Sequence, residues 1–254
     1  MLERQPLDPI YNQMDDTLQY EVNSYITKVF GWMFLGLLVT TITTIAIVFG
    51  MSSSAEFANL IYTIQNLVLI VFIAQLILVF SLSRRVERMN PTTAKIMYLV
   101  YAMTNGLTVG FVAVMLSFYF LDGLYTLAVA FGVTTVSFGV MAVYGITTKK
   151  DLTGFSSLFR MALIGLILAI VANFFFGSDM LDLLIIVGGL VIFLGLVAAD
   201  TNKIKNHFAH IALNSEGGVN SALASNLAIV GALMLYLDFI NIFMFILRLM
   251  MRRR

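Results

Sequence analysis

Seven apolar stretches, at residues 29–50, 57–82, 94–119, 123–147, 161–176, 180–199 and 223–251, take up most of this chain and leave short polar connections between them. A membrane-spanning helix needs roughly 20 predominantly apolar residues. In lipid every backbone N–H and C=O must be paired within the protein, so such stretches fold as helices packed side by side. The spacing predicts an all-α, polytopic membrane bundle of seven transmembrane helices. Composition agrees, with 60% of the 254 residues hydrophobic and 11% charged, against about 25% charged in soluble domains. The chain has no cysteine, which excludes disulfides, thiolate metal sites and cysteine nucleophiles. Residues 1–27 read as a polar tail carrying Glu3, Asp8, Asp15, Asp16 and Glu21, and residues 28–254 as one transmembrane domain. The lipid bilayer is the partner this composition demands, and nothing in it calls for nucleic acid or a cofactor.

Within the spans a few polar and small residues stand out. The second stretch carries Gln65, Asn66 and Gln75, and the third has a polar face of Thr104, Asn105 and Thr108. Gly106 and Gly110 form a small-xxx-small pair that lets another helix approach closely. The fifth stretch, 161–176, is short for a span, and Arg160 at its start suits snorkelling to the membrane surface. After the sixth stretch comes a polar connection with Lys203, Lys205, His207, His210 and Glu216. Two histidines three apart make an incomplete metal site with no third ligand in view.

Basic residues orient the chain. Arg4 and Lys28, then Arg84, Arg85, Arg88 and Lys95, then Lys149, Lys150 and Arg160, then Lys203 and Lys205 occupy alternate connections. The intervening ones hold Glu56, Asp122, Asp179 and Asp182 with no Lys or Arg. Positive charge marks the cytoplasmic side, so the N-terminus is expected in the cytoplasm. Seven crossings would put the C-terminal Arg248, Arg252, Arg253 and Arg254 outside, whereas a re-entrant last segment would return them. Nearly 30 apolar residues favour a crossing. The tail lacks the basic start and short apolar core of a secretory signal, and the expected residence is a bacterial inner membrane.

Two carboxylates lie in apolar settings, Asp200 in GLVAADTNKIK and Asp238 in LMLYLDFINIFMF. An ionisable group in a lipid-fit segment is costly and marks a functional site by default, with a partner to be named. Each is here assigned as the other's partner, a pair that would bind a proton or a cation. Thr201, Asn202 and Asn241 would add neutral oxygens, the mixed donor set that calcium accepts. Two charges and a few neutral oxygens make a weak cage, suited to an ion that must also leave. The bland reading is two unrelated acids, one reaching water and the other satisfied locally.

Three runs, TTKKDLTGFSSLFRMALIGLILA from Thr147, ADTNKIK around Asp200 and LYLDFINIF around Asp238, resemble the Bax inhibitor-1 (TMBIM) family of membrane proteins. The resemblance covers the chain from about residue 25 to the end. It implies seven helices with the last enclosed by the others, and a pH-sensitive calcium leak governed by a di-aspartyl pair at the positions of Asp200 and Asp238. It also implies a basic latch at the end of the second span, for which Arg84, Arg85 and Arg88 are the candidates.

Two other classes compete. A regulatory membrane protein that binds a membrane quality-control protease, or other membrane proteins, would use the polar tail and basic connections equally well. An intramembrane aspartyl protease also places one Asp on each of two late helices. The presenilin-like form has Gly-x-Gly before its second Asp, where this chain has Leu235, Tyr236 and Leu237, so no enzymatic activity is expected.

Overall fold

In the computed structural model the described residues are 16–54, 56, 59, 68–85, 89–120, 122–215 and 219–252. They form seven helices: α1 (Asp16–Ser53), α2 (Val68–Arg85), α3 (Pro91–Tyr119), α4 (Gly123–Thr147), α5 (Thr153–Phe176), α6 (Asp179–Leu213) and α7 (Ser221–Arg252). All but α2 are long and apolar enough to cross a membrane; in α2 the apolar part is Ile70–Leu82. This is an all-α integral membrane protein. Local sequence sets the helix ends. Asn90 caps α3 by accepting from the Thr92 N–H at 3.0 Å, with Pro91 in the first turn where its missing donor costs nothing. Gly177, at φ 59°, closes α5 in the left-handed region that glycine tolerates, and Ser178 caps α6 one residue later.

Two expectations change. The fifth helix is not short: it starts at Thr153, so Arg160 lies two turns inside it. The polar connection after the sixth stretch is helical as far as Leu213, because Ile204, Phe208 and Ala209 are buried and extend the apolar packing of α6. The last segment is one unbroken helix to Arg252.

The chain divides into two compact units. The first holds Thr27–Leu127 and Asn220–Tyr236. Here the Thr40 hydroxyl donates to the carbonyls of Gly36 and Ala102 at 3.0 Å, and Thr44 donates to the Gly106 carbonyl at 3.2 Å. Tyr98 donates to the Trp32 carbonyl at 3.0 Å, and a Cβ on Gly110 would lie 2.6 Å from Ile47. These contacts advance together along both helices, so α1 and α3 run parallel. Gly106, beside Thr40 and Thr43, and Gly110 supply the close approach expected of them. Tyr236 of α7 joins the same cluster, 2.7 Å from the Thr40 hydroxyl and edge-on to Tyr98 and Tyr101. Since Thr40 gives its proton to a carbonyl, the Tyr236 phenol is the donor to it.

The second unit comprises the described residues up to Ile26, Ala128–Val219 and those from Leu237 onward. In it Phe131 and Phe138 of α4 pack edge-on against Phe239 and Phe243 of α7, with centroids 5.4 to 6.4 Å apart. Gly145 of α4 lies so close to α6 that an added methyl would be driven into the Ala198 carbonyl oxygen and to 3.0 Å from Thr201 Cβ. Gly139, on the same helix, has open space around it.

The contrast gives a prediction. Gly145→Ala overpacks a backbone contact at a cost of about 1–3 kcal/mol, more than the roughly 1 kcal/mol gained in helix propensity. Gly139→Ala keeps only the gain. In detergent thermal unfolding, Gly145→Ala should melt several degrees lower and Gly139→Ala no lower than the parent; equal behaviour of the two would refute the close α4–α6 approach.

Candidate functional site

The second unit builds the site from two faces of α6. At about 100° per residue, Asp182, Gly189, Phe193 and Asp200 fall along one line of the helix, and each meets α7. Arg248 and Arg252 pair with Asp182, the latter at 3.1 Å. The Phe245 ring covers Gly189 and lies 5.9 Å from the Phe193 ring. Asp200 neighbours Asp238. The helices are therefore antiparallel, and the register brings the two sequence-assigned carboxyl groups to the same level.

Asp238 is 5% exposed, its Oδ2 fully buried with no hydrogen-bond partner among the described residues. Leaving a buried polar atom unpaired costs about 1–3 kcal/mol, and such an atom calls for an explanation. A carboxyl that keeps a bare oxygen at this cost is available to a proton or a cation. Asp200 is partly exposed and also feels Lys203, one turn on, and Arg160 of α5. Arg160 is held by its own helix, Nε donating to the Ser156 carbonyl at 3.2 Å. The pair thus joins a buried carboxyl to one with access to water and basic neighbours.

Thr201 is buried and donates to the Val197 carbonyl at 2.6 Å. Asn241 lies on the Asp238 side of α7 and donates to the Leu237 carbonyl at 2.8 Å. Asn202 spends its amide on the fold: Oδ1 accepts from the Leu152 N–H at 3.2 Å and from Asn206 at 3.1 Å, and Nδ2 donates to the Gly145 carbonyl at 3.3 Å. Arg84 and Arg85 end α2, but their side chains, and all of Arg88, lie outside the described residues. His207 and His210 gain no third ligand: the described residues hold no metal-binding group of three His, Asp or Glu. Sequence reasoning missed Arg160 and Lys203 as neighbours of Asp200. The spacing of Lys203 pointed to it; that of Arg160 did not, because its approach depends on how α5 packs.

A helical membrane protein with an Asp on each of its last two described helices, one of them buried, is the class these features define. The family described as inhibitor of apoptosis-promoting Bax1 matches residues 22–254. The chain belongs to this Bax inhibitor family. It is 34% identical to the inner membrane protein YbhL of Escherichia coli over 92% of this chain and 93% of that one. Its identity to a Rickettsia prowazekii protein is 34% over 94% and 93% of the two chains. With a Streptococcus pyogenes membrane protein it is 30% over 94% and 96%.

If the buried carboxyl serves binding and not folding, its neutral isostere should not weaken the protein. Asp238→Asn is expected to melt at or above the parent temperature, as is common where a functional group is kept at the expense of stability. A drop equivalent to more than about 1 kcal/mol would assign Asp238 a structural role.

Proposed function

We propose that the protein is a pH-responsive calcium leak of a bacterial inner membrane, with Asp200 and Asp238 as its shared cation and proton site. The observation that carries this is the bare, buried Oδ2 of Asp238 within reach of the Asp200 charge. Hard cations take carboxylate oxygens, and Asn241, on the Asp238 side of α7, supplies a neutral one. Protons compete for the same oxygens, so cation occupancy falls as the pH drops through the range in which the pair titrates. The location follows the name of the Escherichia coli relative. The family membership makes the leak and its di-aspartyl control the first expectation for these two positions. The site is read as binding and conducting, with no catalysis assigned to it.

The same reading takes the bundle as seven crossings, with the N-terminus cytoplasmic and α7 enclosed. Parallel α1 and α3 support it, because the chain between them, to which α2 belongs, must lead back from the end of one to the start of the other. More of α7 is buried than of any other candidate span. The Asp182 ion pairs put the C-terminal end of α7 beside the start of α6, opposite the Lys203 end. In this cysteine-free chain, single cysteines at the exposed Ser53 and Lys150 should label from opposite sides with an impermeant thiol reagent. Labelling of both from one side would end the seven-span reading.

Function is tested by calcium flux into liposomes across a pH series, for the parent, Asp200→Asn, Asp238→Asn and the double variant. Each single variant loses one of two charged ligands and should bind calcium on the order of tenfold more weakly, about 1.4 kcal/mol. Its pH response should flatten, and the double variant should be little worse than either, as for two groups acting as one. Unchanged pH dependence in both single variants would remove the pair from the sensor. Absence of flux from the pure parent would leave the partner-binding reading in its place.

A further inference from the structure

The face of α6 turned away from α7 carries Ala198, Thr201, Asn202 and Lys205. All four are buried, and they meet the end of α4 and the turn that leads to α5. Asn202 holds both ends of the turn, donating to the Gly145 carbonyl and accepting from the Leu152 N–H. The Lys205 ammonium, on a side chain only 4% exposed, donates to the carbonyls of Ile146 at 2.7 Å and Thr148 at 3.1 Å. The first is among the last carbonyls of α4 and the second follows directly after the helix; carbonyls at a helix C-terminus have no helical partner and lie at the negative end of the helix dipole. Backbone groups that would otherwise turn to water are satisfied by two side chains of α6. Two of the motifs in the sequence, the run from Thr147 and the run around Asp200, are thereby fastened to each other.

The geometry points to Asn202 and Lys205 as positioning residues for Asp200. The fastened residues lie on the side of α6 roughly opposite Asp200, by the helical repeat. With that side pinned to α4 and the turn, α6 cannot roll, and Asp200 is aimed at Asp238 on α7. Gly145 makes the pinning close, because a side chain there would push the two backbones apart. This rests on the reading of Asp200 and Asp238 as one ion-binding unit, and adds what holds them in line. Asn202 then acts on the site through the turn and not as a ligand, since its amide oxygen already accepts two hydrogen bonds.

The test reads the alignment directly and does not need transport. Asp200→Cys with Asp238→Cys gives the cysteine-free chain its only two thiols, and a short bifunctional thiol reagent in native membranes reports whether they face each other. The parent pair should cross-link. Asn202→Ala and Lys205→Met, introduced separately, should each lower the yield roughly threefold or more, because bridging two thiols tolerates little misalignment. Yields are compared on the monodisperse fraction after extraction, so loss of folded protein does not count as loss of alignment. Lys205→Arg, which can still donate to both carbonyls, should keep the parent yield. Asn202→Ala changes no charge, so a fall there is an effect of position. Should one loosened variant fail to fold, the other decides. Failure of both to fold, no cross-link in the parent pair, or parent yield in either folded variant would overturn the proposal. Calcium flux of the unsubstituted protein is measured alongside. A parent without flux sinks the transport reading alone and leaves the cross-linking to judge the positioning.

Discussion

The antiparallel contact between α6 and α7 is the interaction on which the candidate site depends. It is built from unlike parts along one line: ion pairs at Asp182, an aromatic ring over Gly189, a second ring at Phe193, and the two carboxyl groups at Asp200 and Asp238. The ion pairs are partly exposed, and pairs of this kind contribute little, about 0.2–1 kcal/mol each. Packing of Phe245 into the space left by a glycine is the stronger restraint, because close-packed interiors tolerate no slack. Register is what this contact supplies. A one-residue slip would rotate Asp200 by about 100° and take it out of line with Asp238.

Having the register set elsewhere lets the site itself be poorly satisfied. An unpaired buried oxygen at Asp238 works against stability, so the rest of the helix pair must over-determine the arrangement. The aromatic contacts of Phe239 and Phe243 with Phe131 and Phe138 hold the adjoining face of α7 against α4. On the far side of α6, hydrogen bonds from Asn202 and Lys205 do the same for α6. Tyr25 stacked on Phe208, with centroids 3.9 Å apart, secures the C-terminal extension of α6 that the sequence had suggested was a loop.

The other unit illustrates a different use of polar residues in a membrane helix. Thr40 and Thr44 of α1 give their protons to carbonyls of α3, and Tyr98 returns one from α3 to α1. Such bonds between membrane helices are worth roughly 1 kcal/mol apiece, and small residues at the contact let the backbones come close enough to form them. Gly36 under the Tyr98 phenol and Gly106 beside Thr43 are those small residues. The third-span polar face is engaged in the same way: the Asn105 amide bonds back to Tyr101, and Thr108 accepts from Gln75 of α2.

What the sequence determined by itself was whatever depends on composition along one helix. Apolar runs long enough to cross lipid, the caps at Asn90 and Ser178, the glycine stop at Gly177 and the cost of an Asp in an apolar run all follow from local chemistry, and the three motifs were enough to suggest the family. Local chemistry misjudged ends that are held from outside. The start of α5 and the last turns of α6 mix polar with apolar residues, and they are helical because buried neighbours such as Leu152 and Phe208 hold them. Asn202, which the sequence offers as a supporting oxygen, has its amide engaged by the α4–α5 turn and by Asn206. That Arg160 of α5 nears Asp200, that Lys205 reaches the end of α4 and that Asp238 keeps a bare oxygen came from the packing of the helices. Those are matters of helix rotation and register, and they are fixed by contacts between residues far apart in the chain.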